Sequence, residues 1–412
     1  MDKITKTVKI EKWQYIVVFI MLFVSDDTVL FGTNKESVFS MMPYVFCLLL
    51  LGILYIYILV KKIKIDRGSL FVVLLFSFLL VLTSVINKDN TLGYYYKIMI
   101  FGVSLLVISV ISSETFFTCF ANIMQWLTIV SLIMFFSDLW HFSFLHNLPM
   151  VTNTAENTFY SIGLANVPVS SGGFVRNWGC FREPGIFQIF LNFALLMELF
   201  YFKKINVRRC LILFFGVLTT FSTAGYSVTI VELIAFFLNK TDSVENKAAK
   251  QYIFIFCALA FLYLIFFTDL LFSSSSFGSV FGKIMHESSS ADARWASITM
   301  NWKLFKENIA FGAGISNVDK LFPLYSLYQY GTLIRHNTNN LFIHLSMFGI
   351  FYSALFVYMH MKFTKFFSGR LFLKLLILIA IFMMYMGEKL VYSLFFCAML
   401  LYAFKQERET EE

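Results

Sequence analysis

VFSMMPYVFCLLLLGILYIYILV, residues 38–60, carries no charged side chain and is followed at once by Lys61, Lys62, Lys64 and Arg67. A stretch of this length and composition is enough for one membrane crossing, which needs about 20 apolar residues. The basic cluster behind it is what a short cytoplasmic loop carries under the positive-inside rule. The pattern recurs along the chain. Apolar runs fall at 13–31, 38–60, 69–86, 93–111, 116–137, 186–202, 210–222, 226–238, 251–272, 338–361, 371–385 and 389–404. The expectation is an all-α polytopic membrane protein of about twelve helices, a single membrane domain over 1–412.

Composition agrees. Of 412 residues, 58% are hydrophobic and only 14% are charged, where soluble domains carry about 25% charged residues. The period-two alternation of a membrane barrel is not visible, so helices are the spanning element. A net charge of +8 does not point to nucleic acid, because the basic residues sit in short loops between apolar runs. With twelve helices the N-terminus, the C-terminus and every second loop share one side. That side holds Lys3, Lys6, Lys9 and Lys12, Lys61 to Arg67, Lys203, Lys204, Arg208 and Arg209, Lys240, Lys247 and Lys250, Lys362, Lys365 and Arg370, and Lys405 and Arg408. Both termini are therefore expected in the cytoplasm. Reading 210–238 as one helix would put Lys240, Lys247 and Lys250 outside, so a break is expected at Ser222–Ser227. The N-terminal apolar run has no small-residue cleavage site after it and reads as a retained helix. Six cysteines are scattered without a disulfide framework or metal-ligand spacing, and neither a metal nor another cofactor is expected.

Two long segments fall outside: 138–185 and, between the ninth and tenth helices, 273–337. Within the second, Asp292–Asn308 reads as an amphipathic helix with Trp295, Ile298, Trp302 and Phe305 on one stripe. Such a helix suits either the membrane–water boundary or packing on the bundle. Gly312 and Gly314 follow as a terminating turn.

The outer side gathers the chemistry. Arg176, Arg182, Glu183, Arg294, Arg335 and His336 all fall there. Glu183-Pro184 reads as a helix start, since proline suits the first helical turn. Arginine grips phosphate oxygens in a bidentate fork and stays charged in a dry site; a carboxylate or histidine supplies a base for an incoming hydroxyl. Each residue also has a plainer reading. Arg182 and Glu183 can neutralise partners elsewhere, Arg176 and Arg335 can be solvated loop charges, Arg294 a helix surface charge, and His336 a capping or interface residue. His344 and His360 read as packed, Glu198 and Glu232 as anchors near the cytoplasmic helix ends, and Glu388 and Lys389 as locally paired in a tight hairpin.

Four segments in order resemble the family of bacterial O-antigen and capsule polymerases (Wzy) and the related O-antigen ligases. They are Arg176-Asn-Trp-Gly-Cys-Phe-Arg-Glu-Pro-Gly-Ile-Phe, Leu218-Thr-Thr-Phe-Ser-Thr-Ala-Gly-Tyr, Arg294 with Trp302, Phe305 and Phe311-Gly-Ala-Gly, and His336-Asn-Thr-Asn-Asn-Leu-Phe running to Gly349. His336 stands one or two positions earlier than the family pattern. The resemblance covers 172–350 and implies an inverting, metal-independent glycosyltransferase at the periplasmic side of the inner membrane. It implies donor and acceptor oligosaccharides on undecaprenyl diphosphate, and a flippase and a chain-length regulator as partners. Arg176, Arg182 and Arg294 would hold the diphosphate, and Glu183 or His336 would orient or deprotonate the acceptor. A ligase acting on lipid A-core is the alternative within the class. A transporter of the same lipid-linked sugar is the alternative outside it; internal repeats and charges lining a path through the bilayer would favour a transporter, and neither is evident.

Overall fold

The computed structural model describes residues 10–25, 27–169, 175–239, 246–255, 289–331, 333–334 and 337–405. It is mostly helical. Among the described residues six helices are long and apolar enough to cross a membrane: α2 (Ser37–Lys61), α3 (Arg67–Ile86), α4 (Leu92–Val110), α5 (Ser113–Leu139), α6 (Pro184–Tyr201) and α12 (Asn340–Phe366). They run from 18 to 27 residues, or about 27–40 Å, against a hydrocarbon core of about 30 Å.

The other helices are α1 (Lys12–Phe23), α7 (Val207–Thr220), α8 (Thr223–Leu238), α9 (246–255 in its described part), α10 (Ser289–Glu307), α11 (Ile315–Tyr330), α13 (Leu371–Tyr385) and α14 (Leu394–Phe404). Eleven of the twelve expected apolar runs thus contain a helix, several of them short; of the run at 251–272 only residues 251–255 are described, and the rest lies outside the described residues. α1 ends at Phe23 although its run continues to residue 31, because the chain turns at Ser25 and Asp27 to join the 138–185 segment. α7 and α8 have 14 and 16 residues, about 21 and 24 Å, and each alone falls short of the core thickness.

The break expected inside 210–238 is a reversal. Phe221 takes a left-handed conformation, and Ser222 caps α8 by accepting from the Gly225 amide. The two helices then run back on each other, since Phe236 at the end of α8 shares a buried cluster with Cys210 at the start of α7.

Helix ends sort into two groups. One group holds the short basic loops. There Arg209 meets Glu198, Asn122 and Gln125; Asn122 donates to Tyr15; Asn246 donates to the Lys203 carbonyl; Lys365 donates to Ala403 and Lys405 to Ile108. The other group holds the 175–184 stretch, which meets Asp27, Thr220 and Glu388, with Leu390 beside Glu388 bonded to Asn340, and the contacts of Asn87 with Gly312 and of Asp89 with Ser316.

The expectation of purely helical structure needs one correction. The 138–185 segment holds a three-stranded antiparallel sheet of β1 (Met150–Thr152), β2 (Thr158–Ser161) and β3 (Asn166–Pro168), with Val151 opposite Phe159 and Tyr160 opposite Val167. Bridges from Asn34 to Asn153 and from Thr28 to Phe181 stitch the α1–α2 connection onto it. The strands are three or four residues long, too short for period-two patterning to register.

α10 forms where expected, but its packed face is rotated, keeping Phe305 of the expected stripe buried and leaving the two tryptophans out. Ala296, Ser297, Met300, Asn301 and Leu304 are buried, whereas Trp295 and Trp302 are exposed. Hydrogen bonds explain the rotation: Asn301 donates to Asn337 at 2.7 Å and accepts from Ser346 at 2.6 Å. α11, within the same 273–337 segment, has no counterpart among the expected helices.

α12 is broken at Gly349, where φ is 75°. The turn after α10 fills the gap: Ala313 donates to the Ser346 carbonyl at 2.7 Å, Gly314 to Met347 at 3.1 Å, and Ile350 donates to Ile309 at 2.8 Å. Backbone groups freed by a break inside an apolar bundle must find partners within the protein. A Cβ at Gly349 would overlap the Ala310 carbonyl, and one at Gly312, also at positive φ, would overlap the Met347 carbonyl. Only glycine lets the two backbones meet.

Candidate functional site

The 175–185 stretch is fixed between the α7–α8 turn on one side and the α1–α2 connection on the other. Asn177 donates its amide to the Thr219 carbonyl and its side chain to Ser131 and Thr219. Arg176 directs Nε to the Thr220 carbonyl at 2.9 Å and Nη2 to Phe221 at 3.2 Å. These carbonyls end α7 and have no partner within the helix, so Arg176 caps a helix C-terminus, where a cation also suits the dipole. On the other side Val29 donates to the Cys180 carbonyl, and Arg182 donates its amide to Asp27.

Between these anchors lies the Arg182 side chain. Its nitrogens face three carboxylates: Glu183 at 3.0 Å, Glu388 at 3.5 Å and Asp27 at 3.6 Å. Glu183 is the exposed member, with 47% of its side chain accessible; those of Asp27 and Glu388 are 3% and 5% accessible. Glu183 is the extended residue before α6, and Pro184 opens the helix. Glu388 comes from the α13–α14 turn and lies directly on the first turn of α6, so closely that a Cβ at Gly185 would overlap its Oε1. Gly185 is there to admit the carboxyl. The turn is held from below, because Asn340 accepts from the Leu390 amide at 3.1 Å and Lys97 donates to the Val391 carbonyl.

Burial pushes the Glu388 carboxyl well above the usual carboxylate range. The charges of Glu183 and Asp27 act in the same sense, and those of Arg182 and Arg294 oppose them. Burial depresses the Arg176 guanidinium, with Arg294 adding to that and Tyr226, Glu183 and Glu388 opposing. These mutual influences place Arg294, at the start of α10, in the same electrostatic neighbourhood as the two loop arginines, although no hydrogen bond joins them.

Of the five residues expected to act, Arg182 and Glu183 form an ion pair, and Arg176 and Arg294 lie within electrostatic reach of Glu388. His336 lies outside the described residues, as do Arg335, Gly172 and Gly173. Arg176 differs from expectation: it is half-buried, and two of its donor atoms are engaged on helix carbonyls. Sequence reasoning passed over Asp27 and gave Glu388 only a local pairing. Both carried a signal. Asp27 is a charge inside an apolar run, and Glu388 sits in the narrow break between two others, positions at which ionisable residues are seldom idle.

Outside the cluster, His344 and His360 are packed, their Nδ1 atoms against the carbonyls of Asn340 and Phe356. Glu198 is an anchor, paired with Arg209 at 2.9 Å. Lys389 pairs with Asp319 at 3.4 Å. Among the described residues no group of His, Cys, Asp and Glu is arranged to hold a metal ion.

Fold and cluster together define a class: a helical, membrane-embedded protein with an arginine–carboxylate cluster at one set of helix ends. No protein-family model matches the chain, and no curated protein matches it.

Proposed function

We propose that this protein is a membrane glycosyltransferase that joins oligosaccharide units carried on undecaprenyl diphosphate, an O-antigen polymerase in its most specific form. In this reading the chain crosses the bacterial inner membrane twelve times with both termini in the cytoplasm, and the arginine–carboxylate cluster faces the periplasm. The observation that carries it is the convergence of Arg176, Arg182 and Arg294 with Glu183 and Glu388 at the helix ends opposite the basic loops. The positive-inside rule puts the basic loops in the cytoplasm and so turns the cluster outward.

Arg182 and Arg294 hold the donor diphosphate and offset the charge that grows on it as the sugar departs. Arg176 keeps the α7 terminus in place and adds its field. The acceptor hydroxyl attacks the anomeric carbon, the bond from that carbon to the diphosphate oxygen breaks, and the diphosphate leaves with the electron pair. The hydroxyl proton passes to Glu183, the carboxylate of the cluster that is open to substrate. Because the diphosphate is a good leaving group, positioning and charge neutralisation are the main tasks. A flippase would supply the substrate and a chain-length regulator would limit the product.

The test is the ladder of polysaccharide lengths in cells carrying Arg182→Ala or Arg294→Ala at normal expression. Loss of the ladder with single repeats left on core supports a polymerase; bare core with accumulated lipid-linked polymer supports a ligase instead. A normal ladder in both variants overturns the site.

A further inference from the structure

A second buried carboxyl stands away from the arginine cluster. α6 and α8 meet along a polar seam. On α6 it comprises Gly185, Gln188 and Asn192; on α8, Gly225, Thr229 and Glu232. The spacings of three and four keep each set on one helix face. Hydrogen bonds run down the seam: Gln188 donates to the Gly185 carbonyl at 2.9 Å, Asn192 to Gln188 Oε1 at 2.9 Å, and Thr229 to Asn192 Oδ1 at 2.6 Å. Such bonds between apolar helices serve as glue.

Glu232 ends the seam and breaks the pattern. It is 1% exposed, and both carboxyl oxygens are buried without a hydrogen-bond partner among the described residues. Glu232 lines a hollow of ≈ 20 Å³ together with Leu195, Leu199, Cys210, Thr229, Leu233 and Ile253, room for about one water molecule.

We propose that Glu232 is an intramembrane proton-binding site: a carboxyl that carries its proton in the resting protein and exchanges it with the face bearing the basic loops. Among the described residues the surroundings supply no counter-ion. α7 contributes Cys210 as a titratable neighbour, α6 contributes two leucines, and α9 contributes Ile253. Lys250 of α9 turns to the Asn239 carbonyl and the Phe236 ring, and no α13 side chain lines the hollow, Lys374 included. Glu198 and Arg209 satisfy each other. An ionised carboxylate without a cation in apolar surroundings is far costlier than the neutral acid, so the proton stays. Leu199 and Cys210 are chain neighbours of Glu198 and Arg209, which puts the hollow beside the basic end. Exchange is Glu232-COOH giving Glu232-COO⁻ and a proton, which passes through the hollow to water on that side.

The test is the infrared difference spectrum between the full-length protein in lipid and its Glu232→Gln variant, near neutral pH. Glutamine matches the protonated acid in shape, so the variant is expected to fold and to leave the arginine cluster intact; polymer synthesis in that variant is judged separately from the band. The expected result is a protonated-carboxyl stretch present in the wild type, absent in the variant, and shifted when water is replaced by deuterium oxide. Absence of the band in the wild type overturns the proposal, as does a band that does not shift in the folded protein. Loss of the band on adding sodium at constant pH overturns it in favour of a metal-cation site.

Discussion

Arg182 holds three carboxylates, and removing it exposes what they cost. Arg182→Ala takes this cation from the buried Asp27 and Glu388, and breaking a buried pair from one side typically costs about 3–5 kcal/mol. The figure is an upper bound here, because burial already drives Glu388 towards its neutral form and a neutral acid needs no partner. Glu388→Gln alone, which makes that neutral form permanent, is therefore expected to change stability by less than about 1 kcal/mol and in the stabilising direction. The two changes are not additive. In the Arg182→Ala background Glu388→Gln should recover about 1–2 kcal/mol, within the usual range for residues of one network. Thermal unfolding of all four proteins in the same detergent reads the cycle. The pH dependence has a defined sign. A carboxyl raised on folding binds more protons in the folded state, so its contribution is fully present below the usual carboxylate range. It is then lost as pH rises from there to the raised value. Glu388→Gln removes that slope. If Arg182→Ala unfolds at the wild-type temperature, or if Glu388→Gln deepens its defect, the reading of the cluster as one electrostatic unit is wrong.

Other consequences can be checked independently. Gly349→Ala combines a left-handed backbone, costing a side chain about 1–2 kcal/mol, with overlap on the Ala310 carbonyl; it should unfold well below the wild type, and an unchanged melting temperature would contradict the broken helix. Arg209→Ala breaks a buried pair with Glu198 and should cost about 3–5 kcal/mol. Lys35→Ala removes only the exposed pair with Glu156 and should cost less than about 1 kcal/mol; equal effects in the two unfolding curves would refute the distinction. Single cysteines at Glu156 and Lys203, probed with a membrane-impermeant thiol reagent in intact cells, should label only at position 156; labelling at both would place the sheet and the basic loop on the same side.

The positions of the helices were legible because apolar surface and its interruptions are properties of consecutive residues. The 38–60 run with Lys61 behind it, and the break at Ser222 read from the charge at Lys240, needed no knowledge of neighbours. Arg182 and Glu183 were legible for the same reason, as charges at the head of an apolar helix. Helix lengths were less so: α1 stops at Phe23 because Thr28 pairs with Phe181, a contact made across more than a hundred residues of chain. The small sheet was hidden because strands of three or four residues carry too little pattern.

What the sequence determined by itself is local: apolar helices long enough to span a membrane, the short basic loops between them, and the arginines and carboxylates at the helix ends. Hydropathy and charge act residue by residue, and their sum along the chain is already fixed in the covalent order. What only the tertiary structure decided is which charges share a space. Glu388 shares one guanidinium with Glu183 although some two hundred residues separate them, Arg176 is drawn to the end of α7, and Glu232 finds no hydrogen-bond partner among the described residues. Pairing energies depend on distance and burial, and neither exists until the helices have packed.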